Sequence, residues 1–413
     1  PAVWPVKECD LEFLTLAAFY FHPDLELARA RIQIAKASAI TAGERPNPAV
    51  SFTPEYALNA GPNVSPWILG FNFDLPIETA GKRRHRISRA TNLIAVAKLS
   101  LGETAWKIRS QLRGALVEFM FAQRAVELFQ REKEIRKNFV ERLEQRFANG
   151  DASRTEVYFA RTELLNFQLA FRAAEGRVIE SKTAVASAIG LSASALDEIK
   201  FVWPELNSPV SAEKISVSSV QSAGLLNRLD IRRSLVEYAA AESALRIEIA
   251  KQYPDVHLTP GYQFDQGTHK FSLGPSVTLP IFNHNQGGVA DANAKRQEAA
   301  AQFLALQGQV ISQTEKAFAQ FQNAVAQFAE ADSLSTELQK RAEKSAQRAR
   351  EIGETDRAAL ASVQVQSSIL ARARLDALLK VQTALGALED AAQRPLTEGK
   401  NFFIPNLEKQ NRE

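Results

Sequence analysis

A chain of 413 residues is long enough for two or three domains, and its 45% apolar and 23% charged content excludes a disordered or low-complexity protein. A net charge of +3 with a pI near 8.9, its basic residues spread among acids along the chain, gives no footprint for nucleic acid. The single cysteine, Cys9, excludes an intramolecular disulfide and a cysteine-based metal cage, and the lack of any apolar run of about 18 residues excludes a transmembrane helix but not a transmembrane β-barrel.

Residues 1–10 carry no charged n-region, apolar h-region or small-residue cleavage site, so any secretory signal is expected to have been removed. Residues 10–43 read as helix, with His22-Pro23-Asp24 opening a periodic run that Gly43, Pro46 and Pro48 stop. Val50, Phe52, Pro54 and Tyr56 then alternate with polar residues, and after a turn-rich segment Trp67, Leu69, Phe71, Phe73 and Leu75 do the same, which predicts a β-hairpin over 50–75. Leu75-Pro76-Ile77 and Gly81 form a corner. Beyond it residues 82–148 hold no proline, and apolar residues from Leu112 to Phe147 recur in steps of three and four, interrupted at Lys133 and Arg136. That predicts one helix of about 67 residues, about 100 Å at 1.5 Å per residue. Asn149-Gly150-Asp151-Ala152-Ser153 turns it, and a return helix follows over 154–190.

Residues 191–216, rich in Ser and Pro, read as an irregular connector. The pattern then repeats. Arg228-Leu229-Asp230 opens a helix that Pro254 stops, and Val256, Leu258, Pro260, Tyr262 and Phe264 with Phe271, Leu273, Pro275, Val277 and Leu279 predict a second hairpin over 256–279, turned by Asp265 to His269. Leu279-Pro280-Ile281 and Gly287 with Gly288 make the second corner, residues 289–350 the second long helix, Ile352 to Asp356 its turn, and 357–392 the return helix. The organisation is a first repeat over 1–190, a connector, a second repeat over 217–394 and a polar tail over 395–413, in which Phe402-Phe403-Ile404 could dock. The fold class is mostly α with a small β part. Four strands cannot close a barrel, and Phe52, Trp67, Phe71, Phe73, Tyr262 and Phe271 are too apolar a face for water, so other chains must complete the sheet and these residues face lipid. A buried sandwich core is the competing reading of the same residues; it would need a second layer.

Two copies of helix, β-hairpin, long helix, tip turn and return helix, with Leu-Pro-Ile at each strand-to-helix corner, resemble the TolC-like outer membrane factor family over nearly the whole chain. The corner segments at 76–83 and 279–287 resemble its CzcC-type branch, the outer membrane components of heavy-metal cation efflux. The resemblance implies a homotrimer with a shared twelve-stranded barrel in the outer membrane and an α-helical tunnel across the periplasm. It implies a periplasmic adaptor and an inner-membrane pump of the RND type as partners. It places adaptor contact at the tips, here Arg146, Gly150, Ser153, Gly353 and Asp356, and strand-to-helix corners at Pro76, Gly81, Pro280 and Gly287. The aspartate ring that closes many family tunnels falls here on Ala359 and Ser362, so Glu351, Glu354 or Asp356 would supply an acidic constriction. Many relatives begin at a lipidated cysteine, but Cys9 follows Val6-Lys7-Glu8, which is no lipobox.

No constellation for catalysis is present. The five histidines, His22, His85, His257, His269 and His284, include no metalloprotease spacing, and neither G-x-S-x-G nor a phosphate loop occurs. His257 and Asp265 could meet a passing cation, yet a metal site needs three or four converging ligands, and a single methionine makes no copper relay. No cofactor is expected. The function read from the chain is a passive conduit from periplasm to exterior, its cargo read as heavy-metal cations. Export of drugs or proteins by the same architecture, or a soluble coiled-coil adaptor or scaffold, are the alternatives.

Overall fold

The structure is a computed structural model that describes residues 8–61, 64–207, 215–352 and 357–396. In chain order its elements are strand β1 (Glu8–Cys9), helices α1 (Leu11–Phe21) and α2 (Pro23–Gly43), strands β2 (Ala49–Tyr56) and β3 (Trp67–Ile77), helices α3 (Lys82–Ala148) and α4 (Arg154–Ile189), and strand β4 (Lys200–Phe201). Helices α5 (Val217–Asn227) and α6 (Leu229–Ala250), strands β5 (Val256–Asp265) and β6 (Thr268–Val277), and helices α7 (Gln286–Ile352) and α8 (Arg357–Ala392) complete it. The duplication extends to length. Helices α1 and α5 both have 11 residues, α3 and α7 both 67, and α4 and α8 both 36.

Several elements differ from the sequence expectation. The helix expected over 10–43 breaks at His22, whose ψ of 123° leaves the helical region. The ring of Pro23 disfavours helical backbone in the residue before it, while proline itself suits a first helical turn. The second repeat breaks at the same place, Arg228, without a proline; there the guanidinium reaches the carbonyl of Ala391 and the side chain of Gln313. The connector is partly ordered: Lys200–Phe201 pairs in parallel with Glu8–Cys9, flanked by short 3₁₀ turns at Ala193–Leu196 and Pro204–Asn207. The segment Phe402-Phe403-Ile404 lies outside the described residues.

The chain divides into two compact units, and each draws on both repeats. One comprises residues 1–26, 103–228 and 308–413. Its core is aliphatic and aromatic: Val220 of α5, Phe318 and Phe321 of α7, and Val381, Leu385 and Leu388 of α8 pack together, and Val117 and Phe121 of α3 pack with Leu206 and Leu378. The positions that interrupt the apolar stripe of α3 use the aromatic rings of α4 instead, with Lys133 over Phe171 at 5.1 Å and Arg136 over Phe167 at 4.8 Å. The other unit comprises residues 27–102 and 229–307. It contains the four-stranded sheet, ordered β2-β3-β5-β6 and antiparallel throughout, so each sequence hairpin is one half of the sheet.

Candidate functional site: the two-faced sheet, its corners and the helical tip

Register across the sheet sorts the side chains by chemistry. Phe52 pairs with Phe71, Phe71 with Tyr262, and Tyr262 with Phe271, so one aromatic row crosses all four strands. Directly paired residues point to one face. Ring centroids are 4.6 Å apart for Phe52 and Phe71 and 5.3 Å for Tyr262 and Phe271. Trp67 lies beside Tyr56 at 5.0 Å, and Phe73 is paired with Val50. Among the described residues no layer covers this face, where Phe271 is 82% exposed and Phe52 is 52% exposed, so a sandwich core finds no second layer there.

On the opposite face the row is Ser51, Asn72, Gly261 and Ser272, and the next is Thr53, Gly70, Gln263 and Lys270. It is closely knit: a Cβ on Gly261 would stand 2.5 Å from Asn72 Oδ1 and 2.6 Å from Ser272 Oγ, so any larger residue must displace both side chains. His257 Nδ1 lies 3.0 Å from Asp74 Oδ1 on this face. Among the described residues no group of three or more His, Cys, Asp or Glu side chains could hold a metal ion. Asp265 is ion-paired to Lys270.

The hairpins end differently from the sequence reading. The turn of the second is two residues, Gln266 at φ 50° and Gly267 at φ 94°, not the longer Asp265 to His269 segment, because successive left-handed residues match the strand twist. Strand β6 stops at Val277, so Leu279, Pro280 and Ile281 stand beyond the ladder, which proline cannot extend. Pro76, by contrast, lies inside β3, paired with His257.

At the first corner Ala80 and Gly81 take φ of 55° and 70°, turning the chain from strand into α3. The Thr79 amide donates to Asp255 Oδ1 at 2.9 Å, and Lys82 Nζ pairs with the same carboxylate at 2.8 Å. Burial alone would raise the Asp255 pKa, but Lys82 and the Thr79 amide override it and hold it below the usual carboxylate range. Arg83 donates to the Gly43 carbonyl at 2.6 Å, and Arg86 to those of Ala42 and Glu44 while bonding Glu78, so α3 caps the end of α2. At the second corner the left-handed residue is Asn285, at φ 56°; Gly287, expected there, is already inside α7. Asn285 Nδ2 donates to the carbonyl and carboxylate of Glu248 at 2.8 and 2.9 Å, which depresses the Glu248 pKa. Sequence reading gave the corner to Gly287, whereas the Asn283-His284-Asn285 triplet carries the turn, since Asn tolerates left-handed backbone better than other side chains.

The tip between α3 and α4 is built by capping. Gly150 has φ 87°, Arg146 donates to the Asp151 carbonyl at 3.1 Å, and Ser153 and Glu156 form a reciprocal capping box at 2.7 and 3.2 Å. Hydrogen bonds from Ser153, the backbone amide first, hold Glu156 below its ordinary pKa. Gly353, Glu354 and Asp356 lie outside the described residues, as do the side chains of Glu351, Ala359 and Ser362. Among the described residues no helix is long and apolar enough to cross a membrane.

Comparison with known proteins meets this geometry. Residues 20–191 match the family described as outer membrane efflux protein. The cobalt-zinc-cadmium resistance protein CzcC of Cupriavidus metallidurans is 26% identical over 237 residues, 56% of this chain; the match spans about half the length of that relative, 54%. The outer membrane protein VceC of Vibrio cholerae has the same fold, with a TM-score of 0.73 at 22% identity over 92% of this chain and 95% of that one. CusC superposes with a TM-score of 0.72 at 15% identity, covering 95% and 94%. Signature and fold agree: residues 20–191 are similar to outer membrane efflux proteins, and the fold is shared with solved outer membrane channels.

Proposed function

We propose that the chain is the outer membrane conduit of a tripartite efflux system. The observation that carries this reading is the sheet, aromatic on one face, small and polar on the other, with both outer edges open. Three copies supply twelve strands and close a barrel, which removes the edges, turns Phe52, Trp67, Phe71, Phe73, Tyr262 and Phe271 to lipid, and leaves a polar lumen. The 11 residues of β3 suffice for a tilted membrane strand, for which about 9–11 are needed. The helices extend the path through the periplasm. A periplasmic adaptor engages the tips at Arg146, Gly150, Ser153, Gly353 and Asp356 and links the channel to an RND pump in the inner membrane, which provides selectivity and energy.

The cargo we assign is divalent heavy-metal cations, on the similarity to the cobalt-zinc-cadmium resistance protein. The channel need not ligate them. Solubility and resistance together test the reading. The protein is expected to require detergent and to run as a trimer, and deletion of its gene is expected to lower tolerance to cobalt, zinc and cadmium, restored by complementation. A monodisperse monomer in plain buffer overturns the channel; unaltered metal tolerance overturns the cargo alone.

A further inference from the structure

Basic residues are interspersed with acids over most of the chain, but residues 78–89 hold Lys82, Arg83, Arg84, Arg86 and Arg89 against the single acid Glu78. Cations at a helix N-terminus oppose the helix dipole, so the first turns of α3 gain nothing as helix from carrying them. Three of them have work within the fold: Lys82 pairs with Asp255, Arg86 with Glu78, and Arg83 with the Gly43 carbonyl. Arg84 and Arg89 do not. Both are exposed, and neither makes an ion pair or hydrogen bond among the described residues. The field of Arg84 is felt locally: burial first, then Arg84 and Arg246, lowers the pKa of His85.

Position gives these cations a partner. Ile77, Val256 and Val277 form the last row of the sheet, and both corners leave from it. Arg84 Nη2 lies 3.5 Å from where a Cβ on Gly81 would stand, so its guanidinium folds back over the corner toward the strand end. At 1.5 Å per residue Arg89 is about 10 Å along α3 from Lys82. A phospholipid headgroup layer is about 5–8 Å deep on each side of the hydrocarbon. The second corner differs: Lys295 is paired with Asp291 and Arg296 with Glu242, and the residues next to the strand are apolar and exposed, Leu279, Ile281 and Phe282, the last 99% exposed.

We propose that Arg84 and Arg89 bind the phosphates of anionic phospholipid in the periplasmic leaflet, with Leu279, Ile281 and Phe282 seated in the adjoining hydrocarbon. The assignment rests on the barrel reading and on two complementarities, charge with phosphate at one corner and apolar side chains continuous with the lipid-facing surface at the other. Exposed basic residues beside a membrane edge attract anionic lipid and lose that attraction as salt screens it.

The test uses the full chain, reconstituted in vesicles of phosphatidylethanolamine with or without about one-fifth phosphatidylglycerol, then extracted gently and weighed with its retained lipid by native mass spectrometry. Wild-type protein is expected to retain phosphatidylglycerol several-fold over phosphatidylethanolamine. The doubly substituted Arg84→Ala/Arg89→Ala protein should lose that preference, and Arg84→Lys/Arg89→Lys should keep most of it. Equal preference in wild-type and alanine proteins overturns the proposal while leaving the channel intact. Full displacement of the lipid by inorganic phosphate, with binding of phosphate in lipid-free detergent, also overturns it, since the site would then be for the free anion. Failure to insert into either vesicle overturns the channel reading and this proposal together.

Discussion

Glu389 of α8 is 1% exposed and shares its carboxylate with Arg113 at 3.1 Å and Arg109 at 3.7 Å, both from α3. Arg113 also donates to the Gln382 carbonyl, and burial lowers its pKa while Glu389 offsets the effect. Removing Arg113 leaves the buried carboxylate with only the longer contact to Arg109, a cost toward the lower end of the range of about 3–5 kcal/mol for breaking a buried pair. Arg113→Met is therefore expected to lower the thermal midpoint sharply, and Arg109→Met/Arg113→Met/Glu389→Leu, which removes all three charges, to recover most of the loss; a triple mutant as unstable as the single one rejects the charge argument. Beside them Asp390 accepts from Trp106 Nε1 at 3.0 Å and from Ser110, yet burial first, and Glu389 as well, hold its pKa above the carboxylate range. A raised carboxyl pKa means that the folded state binds the extra proton, so this contribution is complete below the unfolded pKa of about 3.9 and is lost as pH rises through the folded value. Asp390→Asn should flatten the stability profile over that window and leave it unchanged at lower pH, measured by thermal unfolding across a pH series.

At the scale of elements, capping and turn chemistry decide where each helix starts. Ser153→Ala removes half of the capping box, at a cost of about 1 kcal/mol confined to the first turn of α4. Faster amide exchange at residues 154–157, with the Glu156 pKa rising back toward its ordinary value, would register it. Gly81 at φ 70° sits where a side chain is strained by about 1–2 kcal/mol, so Gly81→Val should weaken the corner more than Gly287→Val, which lies inside α7. Limited proteolysis near residue 80 compares the two. Much at this scale was legible in the sequence. Proline-free periodicity after Gly81 coincides with α3, and period-two alternation coincides with the strands, because both signals are local. Asn285 in place of Gly287, the short helix α5 ahead of Arg228 and the burial of Glu132 against Arg136 and Arg372 were not, since each depends on a partner distant in sequence or on a hydrogen bond that periodicity does not encode.

For the molecule as a whole, the trimer, the adaptor and the cargo belong to the proposal, and conductance reaches them most directly. If Glu354 and Asp356 narrow the periplasmic end, Glu354→Ala/Asp356→Ala is expected to raise single-channel conductance in planar bilayers and weaken cation selectivity; unchanged values reject that role. The fold class was readable because the duplication presents each element twice, whereas cargo was not, because a passive conduit of the proposed kind need not bind what passes.

Strand β3 has a further consequence, one of timing. Its inner edge pairs with β5, roughly 180 residues later in the chain. A chain made from its N-terminus, at about 5–20 residues per second, therefore leaves that edge bare for about 10–40 s after the first hairpin exists. During this interval the aromatic row is half assembled, and the strand nearest at hand is the β3 of another copy. Slow elongation, or many copies made side by side, thus favours mispaired hairpins.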